Sequence, residues 1–253
     1  MTGLEALSAM EYPGRFIILG KLETGQELVV YGVTGRSESS RARRFEQDKG
    51  IIRTAPTNPE VLKKGNPKLL IYNAIRKLDK NIVVSNGAQT DLIYDAIHSL
   101  DFDKSPAEIF ASAFRNPCLV DGIDLTAFEP DEPNYTPRIS GLLTPRGAGL
   151  AIAKHQNGRV LRTFFDFPLV PGRGKLIATY TGVNQNPLPS FAGEPLDIGI
   201  PFTGLQSLAQ VFYDAIFPRA ADKDFRVGVA VVSYDRTLDH ISSSIVNRDG
   251  GSK

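Results

Sequence analysis

The stretch Ile82-Val83-Val84-Ser85-Asn86-Gly87-Ala88-Gln89-Thr90-Asp91 combines a strand, a turn and the start of a helix. Its first residues are apolar and β-branched, which is typical of a buried strand. We expect the pair Asn86-Gly87 to end this strand with positive φ, and Thr90 to cap the helix that follows. Such a turn aims backbone N–H groups beyond the strand, where they can hold an anion or an oxyanion. Taken alone, the pair is explained equally well by an ordinary tight turn.

Apolar runs on both sides of this stretch predict further strands, separated by Gly, Pro and Asn. They cover residues 15–20, 27–33, 67–72, 138–144, 149–154, 160–167, 175–180, 225–234 and 240–246, and the four between 138 and 180 are expected to form a meander. Helices are predicted from residue 90, from Ser105 with Glu108 in a capping box, and over residues 203–217 with a capping box of Thr203 and Gln206. Many antiparallel strands with a few helices grouped between them predict an α+β fold.

The composition is that of an ordinary globular protein. The chain has 253 residues, 42% of them hydrophobic and 23% charged, without a long linker, so we expect one domain. Lys and Arg number 29 against 28 Asp and Glu, which argues against nucleic acid or an anionic membrane as a partner. We find neither a membrane-spanning apolar run nor a secretory signal, so the cytoplasm is the expected location. The single Cys118 and three scattered histidines predict no disulfide and no metal site.

Several common catalytic motifs are missing from the sequence, namely GxxxxGKS/T, GxGxxG, GxSxG and HExxH. Polar residues instead lie at the ends of predicted strands, where sites usually occur. The arginine loop, residues 35–44, mixes four arginines with Ser and Gly and suits a small phosphorylated ligand. A solvated basic turn is the simpler explanation of such a loop taken alone. The candidate site residues are Arg36, Arg41, Tyr72, Asn73, Asn86, Gly87, Asp91, Glu129 and Arg138.

Five short motifs follow one another along the chain. They are Tyr12-Pro13-Gly14-Arg15-Phe16, Tyr31-Gly32-Val33-Thr34-Gly35-Arg36-Ser37, Asn66-Pro67 with Tyr72-Asn73, the stretch 82–91, and Thr136-Pro137-Arg138-Ile139. In this order they resemble the motifs of the archaeal-type IMP cyclohydrolase family. The resemblance covers residues 12–150 and continues more weakly through residues 226–235. Such an ordered series is far more specific than any one of its motifs.

The resemblance implies a four-layer αββα sandwich of two mostly antiparallel sheets, of the N-terminal-nucleophile hydrolase type. It implies a single domain over residues 12–247, preceded by an extension over residues 1–11 and followed by a flexible tail over residues 248–253. The covalent nucleophile of that fold is not expected, because Glu11-Tyr12-Pro13-Gly14 offers no Cys, Ser or Thr before the first strand. The resemblance also implies a homo-oligomer.

The implied reaction closes the purine ring of 5-formamidoimidazole-4-carboxamide ribotide (FAICAR), giving IMP and water in purine biosynthesis without a cofactor. The resemblance implies that Tyr72 donates a hydrogen bond to the formyl oxygen and that Glu129 is the general acid or base. Arg36 and Arg41 match family arginines, and they are expected to hold the phosphate or orient the carboxamide, with Arg41 counted as catalytic. The other implied substrate-binding residues are Asn73, Asn86, Gly87, Asp91 and, for the phosphate, Arg138.

The chain departs from the family pattern at four positions and in one loop. Gly32 stands where an arginine is common, Thr34 and Gly35 stand where serines are common, and Gln89 replaces a histidine. The loop after Ser37 reads Glu-Ser-Ser-Arg in place of Phe-Pro-Asn-Arg. Arg43 and Arg44 are the candidates to compensate for the lost arginine. These departures leave two alternatives open: a diverged relative acting on another nucleotide or amide, and a noncatalytic purine-nucleotide-binding protein.

Overall fold

Strands make up most of the computed structural model, which describes residues 4–99, 103–217 and 223–248. The strands are β1 (Arg15–Lys21), β2 (Glu27–Thr34), β3 (Arg43–Asp48), β4 (Ile51–Pro56), β5 (Asn73–Leu78), β6 (Asn81–Ser85), β7 (Leu119–Val120), β8 (Ile123–Asp124), β9 (Arg138–Thr144), β10 (Gly147–Gln156), β11 (Arg159–Phe167), β12 (Arg173–Ala178), β13 (Leu196–Gly199), β14 (Arg226–Asp235) and β15 (His240–Asn247). The helices are α1 (Leu4–Ser8), α2 (Glu38–Arg41), α3 (Pro59–Leu62), α4 (Pro67–Leu70), α5 (Gln89–Ser99), α6 (Pro106–Ala113) and α7 (Leu205–Ala215).

Two large antiparallel sheets contain these strands, apart from β7 and β8, which form a separate hairpin. The order of strands is β13-β12-β1-β2-β14-β15 in the first sheet and β11-β10-β9-β6-β5-β4-β3 in the second. Each neighbouring pair within them is antiparallel. The predicted α+β class is therefore confirmed.

The two sheets pack face to face through β1 and β9. Consecutive residues of β1 and β2 are buried, which requires cover on both faces of the first sheet. On the inner face, Ile17 and Leu19 of β1 point at Gly141 of β9. A Cβ at Gly141 would lie 3.1 Å from Ile17 and 3.2 Å from Leu19, so the glycine allows the sheets to approach closely here.

Helices cover the outer face of each sheet. On the first sheet, α7 packs against β14, β15 and β2, and α1 packs against α7 and β13. Leu7 of α1, in the segment expected to be an extension, is fully buried in the same core as Phe212 of α7. On the second sheet, α5 and α6 contribute Ile93 and Phe110 to a smaller core over β6, β9 and β10. The layers therefore run helices, sheet, sheet, helices.

The predicted strand at residues 67–72 is wrong. Asn66 accepts a hydrogen bond from the backbone N–H of Lys68, and Pro67 occupies the first turn, so the chain forms the short helix α4. Strand β5 begins only at Asn73. A short apolar run does not by itself distinguish a strand from a helical turn, and here the Asn-Pro start signal decides.

The segment after the first hairpin contains more structure than the predicted loop over residues 35–44. Ser37 caps the short helix α2, and β3 begins at Arg43 and pairs with β4, neither strand having been predicted. In β3, Phe45 is buried between the exposed Arg44 and the half-buried Glu46. One apolar residue in a polar edge strand is too weak a pattern to recognise.

Four finer predictions are also wrong. Neither Asn86 nor Gly87 has positive φ, and Thr90 lies inside α5, which begins at Gln89. Helix α7 begins after Gly204 without a side-chain cap, so the capping box predicted at its start does not form, whereas the box at the start of α6 is confirmed. The predicted meander ends at β11, because β12 belongs to the first sheet.

Within the described residues, no helix is long and apolar enough to cross a membrane. Of the expected tail, residues 249–253 lie outside the described residues.

We predict that Gly32→Ala destabilises the protein, because Gly32 pairs with Phe16 across β1 and β2 and has no room for a side chain. A Cβ at Gly32 would lie 2.0 Å from the Phe16 ring, which is fully buried. Overpacking of this kind costs about 1–3 kcal/mol or more, measurable as a lower denaturation midpoint. Gly204→Ser is the control, since nothing lies within 4 Å of a Cβ at that cap and Ser suits it. An unchanged midpoint for Gly32→Ala would contradict this packing.

Candidate active site

Strand ends from both sheets meet at one end of the sandwich. In the first sheet, β1 begins where β2 ends, with Arg15 paired to Val33. In the second sheet, β6 ends where β9 begins, with Ser85 paired to Ser140. Because β1 packs on β9, these ends lie together. Buried polar side chains collect here, including Arg15, Thr34, Ser85, Asn86, Gln89, Glu129, Thr136, Arg138, Ser140 and Thr179.

An ion pair between Arg15 and Glu129 links the start of β1 to the loop before β9. Arg15 Nη2 lies 2.6 Å from Glu129 Oε1, and the two residues are 8% and 3% exposed. Although burial alone lowers the pKa of Arg15, the Glu129 carboxylate and the neighbouring tyrosines raise that pKa well above its ordinary value. Gly14 precedes Arg15 with a φ of 71°, and its missing side chain leaves room for Thr179 and Tyr180. Arg15 therefore stays charged. Glu129 holds its side chain, and the turn at Gly14 places its backbone.

A pair of tyrosine hydroxyl groups lies close to this ion pair. The hydroxyl oxygens of Tyr31 and Tyr72 are 2.6 Å apart, so one donates to the other. Tyr31 is fully buried, and burial together with Tyr72 raises its pKa well above the ordinary value. The backbone N–H of Tyr72 donates to Thr54 Oγ1, which fixes the start of β5. Tyr31 therefore keeps its proton and can donate it to Tyr72, leaving the Tyr72 proton free for another acceptor.

Arg138, the first residue of β9, carries the least satisfied guanidinium group of this end of the sandwich. Its Nη1 donates to Gln89 Oε1 at 3.1 Å, while its Nε and Nη2 are buried without a partner. Burial lowers the pKa of Arg138, and the attraction of Glu129 only partly offsets this. Gly87 matters here for space rather than for φ, because a Cβ on it would lie 2.5 Å from Arg138 Nη1 and would force that guanidinium to shift.

A second carboxylate, Asp131, organises the loop that carries Glu129. The backbone N–H of Thr136 donates to Asp131 Oδ1 at 2.6 Å, and its hydroxyl donates to Asp131 Oδ2. The Tyr180 hydroxyl lies 2.5 Å from Thr136 Oγ1, and Tyr12 stacks on the Tyr180 ring. Burial and the nearby Glu129 raise the pKa of Asp131. The loop is thus held by hydrogen bonds that leave the Glu129 side chain to Arg15.

Both polar atoms of the Asn86 side chain form hydrogen bonds within the protein. Its Oδ1 accepts from the backbone N–H of Ile139 at 2.9 Å and from Gln89 Nε2 at 2.8 Å. Its Nδ2 donates to the carbonyl of Pro137 at 2.9 Å, and the residue is fully buried. Asn86 therefore fixes the start of β9 against the end of β6, which places Arg138.

The two arginines assigned from the arginine loop lie at the rim of this site. Arg36 Nη1 donates to Asn184 Oδ1 and to the carbonyl of Gln185, and its guanidinium lies 5.3 Å from the centre of the Tyr12 ring. Arg41 Nη1 donates to the carbonyl of Arg36 at 2.8 Å. Of the residues considered as substitutes for the lost arginine, Arg43 is buried against backbone carbonyls and Arg44 pairs with Glu46 at the surface.

Asn73 and Asp91 form a separate group on the helix-covered face of the second sheet. Asn73 Nδ2 donates to both carboxylate oxygens of Asp91, and Arg76 Nη1 lies 2.6 Å from Asp91 Oδ1. The Arg76 guanidinium stacks 3.5 Å from the Tyr94 ring centre. Since successive residues of a strand point to opposite faces, Tyr72 reaches Tyr31 in the first sheet while Asn73 reaches α5. The structure does not join these two groups by a direct contact.

The structure thus brings Tyr72, Glu129 and Arg138 together, with Gly87 beside them and Asn86 beneath them. Arg15, Tyr31 and Gln89 are essential parts of the arrangement that were given no role from the sequence. A charge at the start of the apolar β1 was a usable signal for Arg15. Tyr31 resembled any core aromatic residue of a strand. Within the described residues, no group of three His, Cys, Asp or Glu side chains could hold a metal ion.

Comparison with known proteins assigns the chain to a family. Residues 12–237 match the family described as IMP cyclohydrolase-like protein. The chain is 32% identical to an IMP cyclohydrolase of Methanopyrus kandleri over 193 residues, which cover 71% of this chain and 89% of that protein. It is 29% identical to an IMP cyclohydrolase of Methanothrix thermoacetophila over 220 residues, covering 86% of this chain and 98% of that protein. An IMP cyclohydrolase of Methanocaldococcus jannaschii is 29% identical over 185 residues, covering 72% and 81%. The chain therefore belongs to the IMP cyclohydrolase-like protein family.

Proposed function

We propose that this protein is an IMP cyclohydrolase, which closes the purine ring of FAICAR to give IMP and water. One observation carries the proposal: three groups meet at one buried end of the sandwich. They are the Arg15–Glu129 ion pair, the hydroxyl pair of Tyr31 and Tyr72, and the edge of Arg138 that has no partner. All of these residues except Glu129 come from the sequence motifs that resemble the family, and Glu129 lies in the loop before the last motif. The relatives named above carry the same activity in their names.

Ring closure makes modest demands on the protein. The carboxamide nitrogen attacks the formyl carbon within one molecule, so the enzyme has to hold the reactive conformer rather than collect two reactants. It must also stabilise negative charge on the formyl oxygen and move protons from nitrogen to that oxygen. A nearly buried site strengthens the electrostatic interactions involved.

Tyr72 is the proposed donor to the formyl oxygen. As the N–C bond forms, the C=O bond becomes a single bond and its oxygen takes the electron pair and then a proton. With Tyr31 donating to Tyr72, the Tyr72 hydroxyl proton is the one directed toward the substrate. Tyr31 is then a positioning residue for Tyr72. A donor that is already in place costs no reorganisation at the moment of reaction.

Glu129 is the proposed proton carrier, and its ion pair with Arg15 favours the role of base at the start of the reaction. It removes one proton from the attacking carboxamide nitrogen. It delivers that proton to the formyl oxygen, which becomes a hydroxyl. As the C=N bond forms, it carries the proton of the formamido nitrogen to the same hydroxyl, which leaves as water. Two protons thus leave nitrogen and two arrive on oxygen, which balances the loss of one water.

The remaining assignments concern substrate binding. We propose that Arg36 and Arg41, at the rim, hold the phosphate or orient the carboxamide, with Arg138 acting from within. Gly87 and Asn86 serve by placing Arg138. Asp91, held by Asn73, positions the base or ribose where the substrate extends past the start of β5 toward α5. No cofactor is required by this scheme.

Three wider assignments rest on the resemblance and on composition. We propose that the helix-covered sandwich is of the N-terminal-nucleophile hydrolase type, used here without a covalent nucleophile. We also propose that the protein works in the cytoplasm as a homo-oligomer. Its nearly equal numbers of basic and acidic residues, 29 and 28, favour a small ribotide over nucleic acid or a membrane as its partner.

Purified protein is predicted to convert FAICAR to IMP in the absence of folate and of added metal. Ring closure is followed by absorbance and confirmed by chromatography of the product. No conversion together with tight IMP binding would indicate a noncatalytic purine-nucleotide-binding protein. Hydrolysis of an amide without ring closure would indicate a diverged relative that acts on another bond.

Glu129→Gln is predicted to lower kcat about 100-fold or more, because an amide cannot accept and return the proton. The substitution also leaves Arg15 without its charged partner, so stability must be measured alongside activity. Glu27→Gln is the matched control, since Glu27 forms an ion pair with Arg236 near the other end of β2. Full turnover by a folded Glu129→Gln protein would remove Glu129 from the mechanism.

Tyr72→Phe is predicted to lower kcat by about 100-fold, with a smaller loss for Tyr31→Phe, because only Tyr72 meets the substrate. Tyr234→Phe is the control: it removes the hydroxyl of a fully buried tyrosine that donates to Asp239 at the opposite end of the sandwich. Steady-state kinetics of the three variants show whether the loss of kcat is largest for Tyr72→Phe, smaller for Tyr31→Phe and smallest for Tyr234→Phe. Equal losses for all three would mean that Tyr72 has no special role.

A further inference from the structure

The side chain of Gln89 is a fully buried amide that uses both of its polar atoms. Its Nε2 donates to Asn86 Oδ1 at 2.8 Å and to the carbonyl of Ile139 at 3.3 Å. Its Oε1 accepts from Arg138 Nη1 at 3.1 Å. Gln89 lies in the first turn of α5, so the helix delivers this acceptor to the start of β9.

The orientation of both amides follows from the backbone. The N–H of Ile139 can only donate, so the Asn86 atom that it meets must be the oxygen. That oxygen then requires the nitrogen of Gln89 opposite it, and the Gln89 oxygen is left to face Arg138. The acceptor beside Arg138 is therefore specified by a chain of bonds that starts at the β9 backbone.

The bond to Gln89 determines which part of Arg138 stays free. Nη1 is occupied, whereas Nε and Nη2 are buried and have no partner. Nε and Nη2 form one edge of the guanidinium, and two parallel N–H groups along such an edge suit a pair of oxygens or one charged oxygen. Buried donors without a partner are costly, which points to a ligand that completes them.

The charges around Arg138 also leave a place for an anion. Arg15 and Arg138 bring two positive charges, and Glu129, which already pairs with Arg15, brings one negative charge. The carboxylate of Asp131, beyond Glu129, accepts from the backbone N–H and the hydroxyl of Thr136. The next carboxylate, Asp124, accepts from the backbone of Cys118 and from Thr126. An oxygen carrying negative charge on the ligand would satisfy the remaining edge of Arg138.

We propose that Gln89 is a positioning residue that holds Arg138 by Nη1 so that its Nε and Nη2 edge faces an anionic oxygen of the substrate. This rests on the proposed function for the identity of the ligand. Two oxygens of a ribotide fit the same chemistry: those of the phosphate, and the formyl oxygen that gains charge during ring closure. Gly87 supports the arrangement, because a Cβ there would lie 2.6 Å from Gln89 Oε1.

The test compares Gln89→Met with Arg138→Lys. Gln89→Met keeps the length of the side chain and removes both the acceptor for Arg138 and the donor to Asn86. Calorimetry with IMP and with inosine at pH 8 measures the phosphate-dependent part of binding, and steady-state kinetics with FAICAR measure kcat and KM. Gln210→Met, at an exposed site on α7, is the control for the substitution itself. Melting temperatures of all variants report on folding.

If the edge meets the phosphate, Gln89→Met weakens IMP binding about 10- to 100-fold and leaves inosine binding unchanged. If it meets the formyl oxygen, kcat falls by a similar factor while KM and both affinities stay the same. In either case, the double variant Gln89→Met with Arg138→Lys loses less than about threefold more binding or kcat than Arg138→Lys alone. Unchanged binding and kcat, or equal weakening of IMP and inosine, would overturn the proposal.

Rescue provides a second readout that a purely structural role would not give. Gln89→His at pH 8 offers one donor and one acceptor nitrogen, so it is expected to restore most of the loss seen with Gln89→Met. A failure of Gln89→His to exceed Gln89→Met would count against the proposal. If the unsubstituted protein closes no ring yet binds IMP more tightly than the Gln89→Met protein does, the proposed function fails and this inference stands. If it binds no IMP, inorganic phosphate replaces it as the probe, and binding unaffected by Gln89→Met then refutes the inference.

Discussion

Both faces of the central strands are covered, by the other sheet on one side and by helices on the other, and this confines buried charge to the places where strands end. Within β1, the residues from Phe16 to Leu19 are apolar and fully buried, and the only charge on the buried part of the strand is its first residue, Arg15. β9 likewise begins with Arg138 and continues with small and apolar residues. A charge in mid-strand would lose its hydration without access to a partner. The same packing that builds the core therefore gathers the polar side chains at one end.

The Arg15–Glu129 ion pair is the clearest consequence of this confinement. Removing two charges from water is expensive, and the attraction between them repays the cost only when geometry and further hydrogen bonds are favourable. Here the loop that presents Glu129 is itself held by Asp131 through Thr136, and Arg15 is placed by the turn at Gly14. Loss of either partner of such a pair leaves an unpaired buried charge and typically costs about 3–5 kcal/mol. Under the proposed mechanism, stability and chemistry depend on the same ion pair, so a variant of either residue has to be judged on both.

The sequence allowed the strands with strong apolar runs to be predicted, and it allowed the polar strand ends to be recognised as candidates. It did not reveal β3 and β4, because a half-exposed edge strand such as β3 needs few apolar residues. Nor could it reveal that Tyr31 and Tyr72 share a hydrogen bond, because that contact joins two sheets whose relative position no local pattern encodes. The turn after β6 was predicted from the conformational freedom of glycine. The structure instead uses Gly87 for its lack of a side chain next to Arg138, which is a property of tertiary packing.

The departures from the family pattern can now be weighed by where their side chains would point. Tyr31 faces the second sheet, since its hydroxyl meets Tyr72, so its neighbour in β2, Gly32, faces the opposite side of the first sheet. There the Phe16 ring occupies the space that a side chain at residue 32 would need. Glycine at this position therefore removes no charge from the face that carries Arg15 and Tyr72. Gln89, in contrast, lies inside the site, and it keeps the two features that the site requires there, a donor for Asn86 and an acceptor for Arg138. At residue 32, the Phe16 ring fills the space that an arginine side chain would need. At residue 89, glutamine keeps the hydrogen bonds to Asn86 and Arg138.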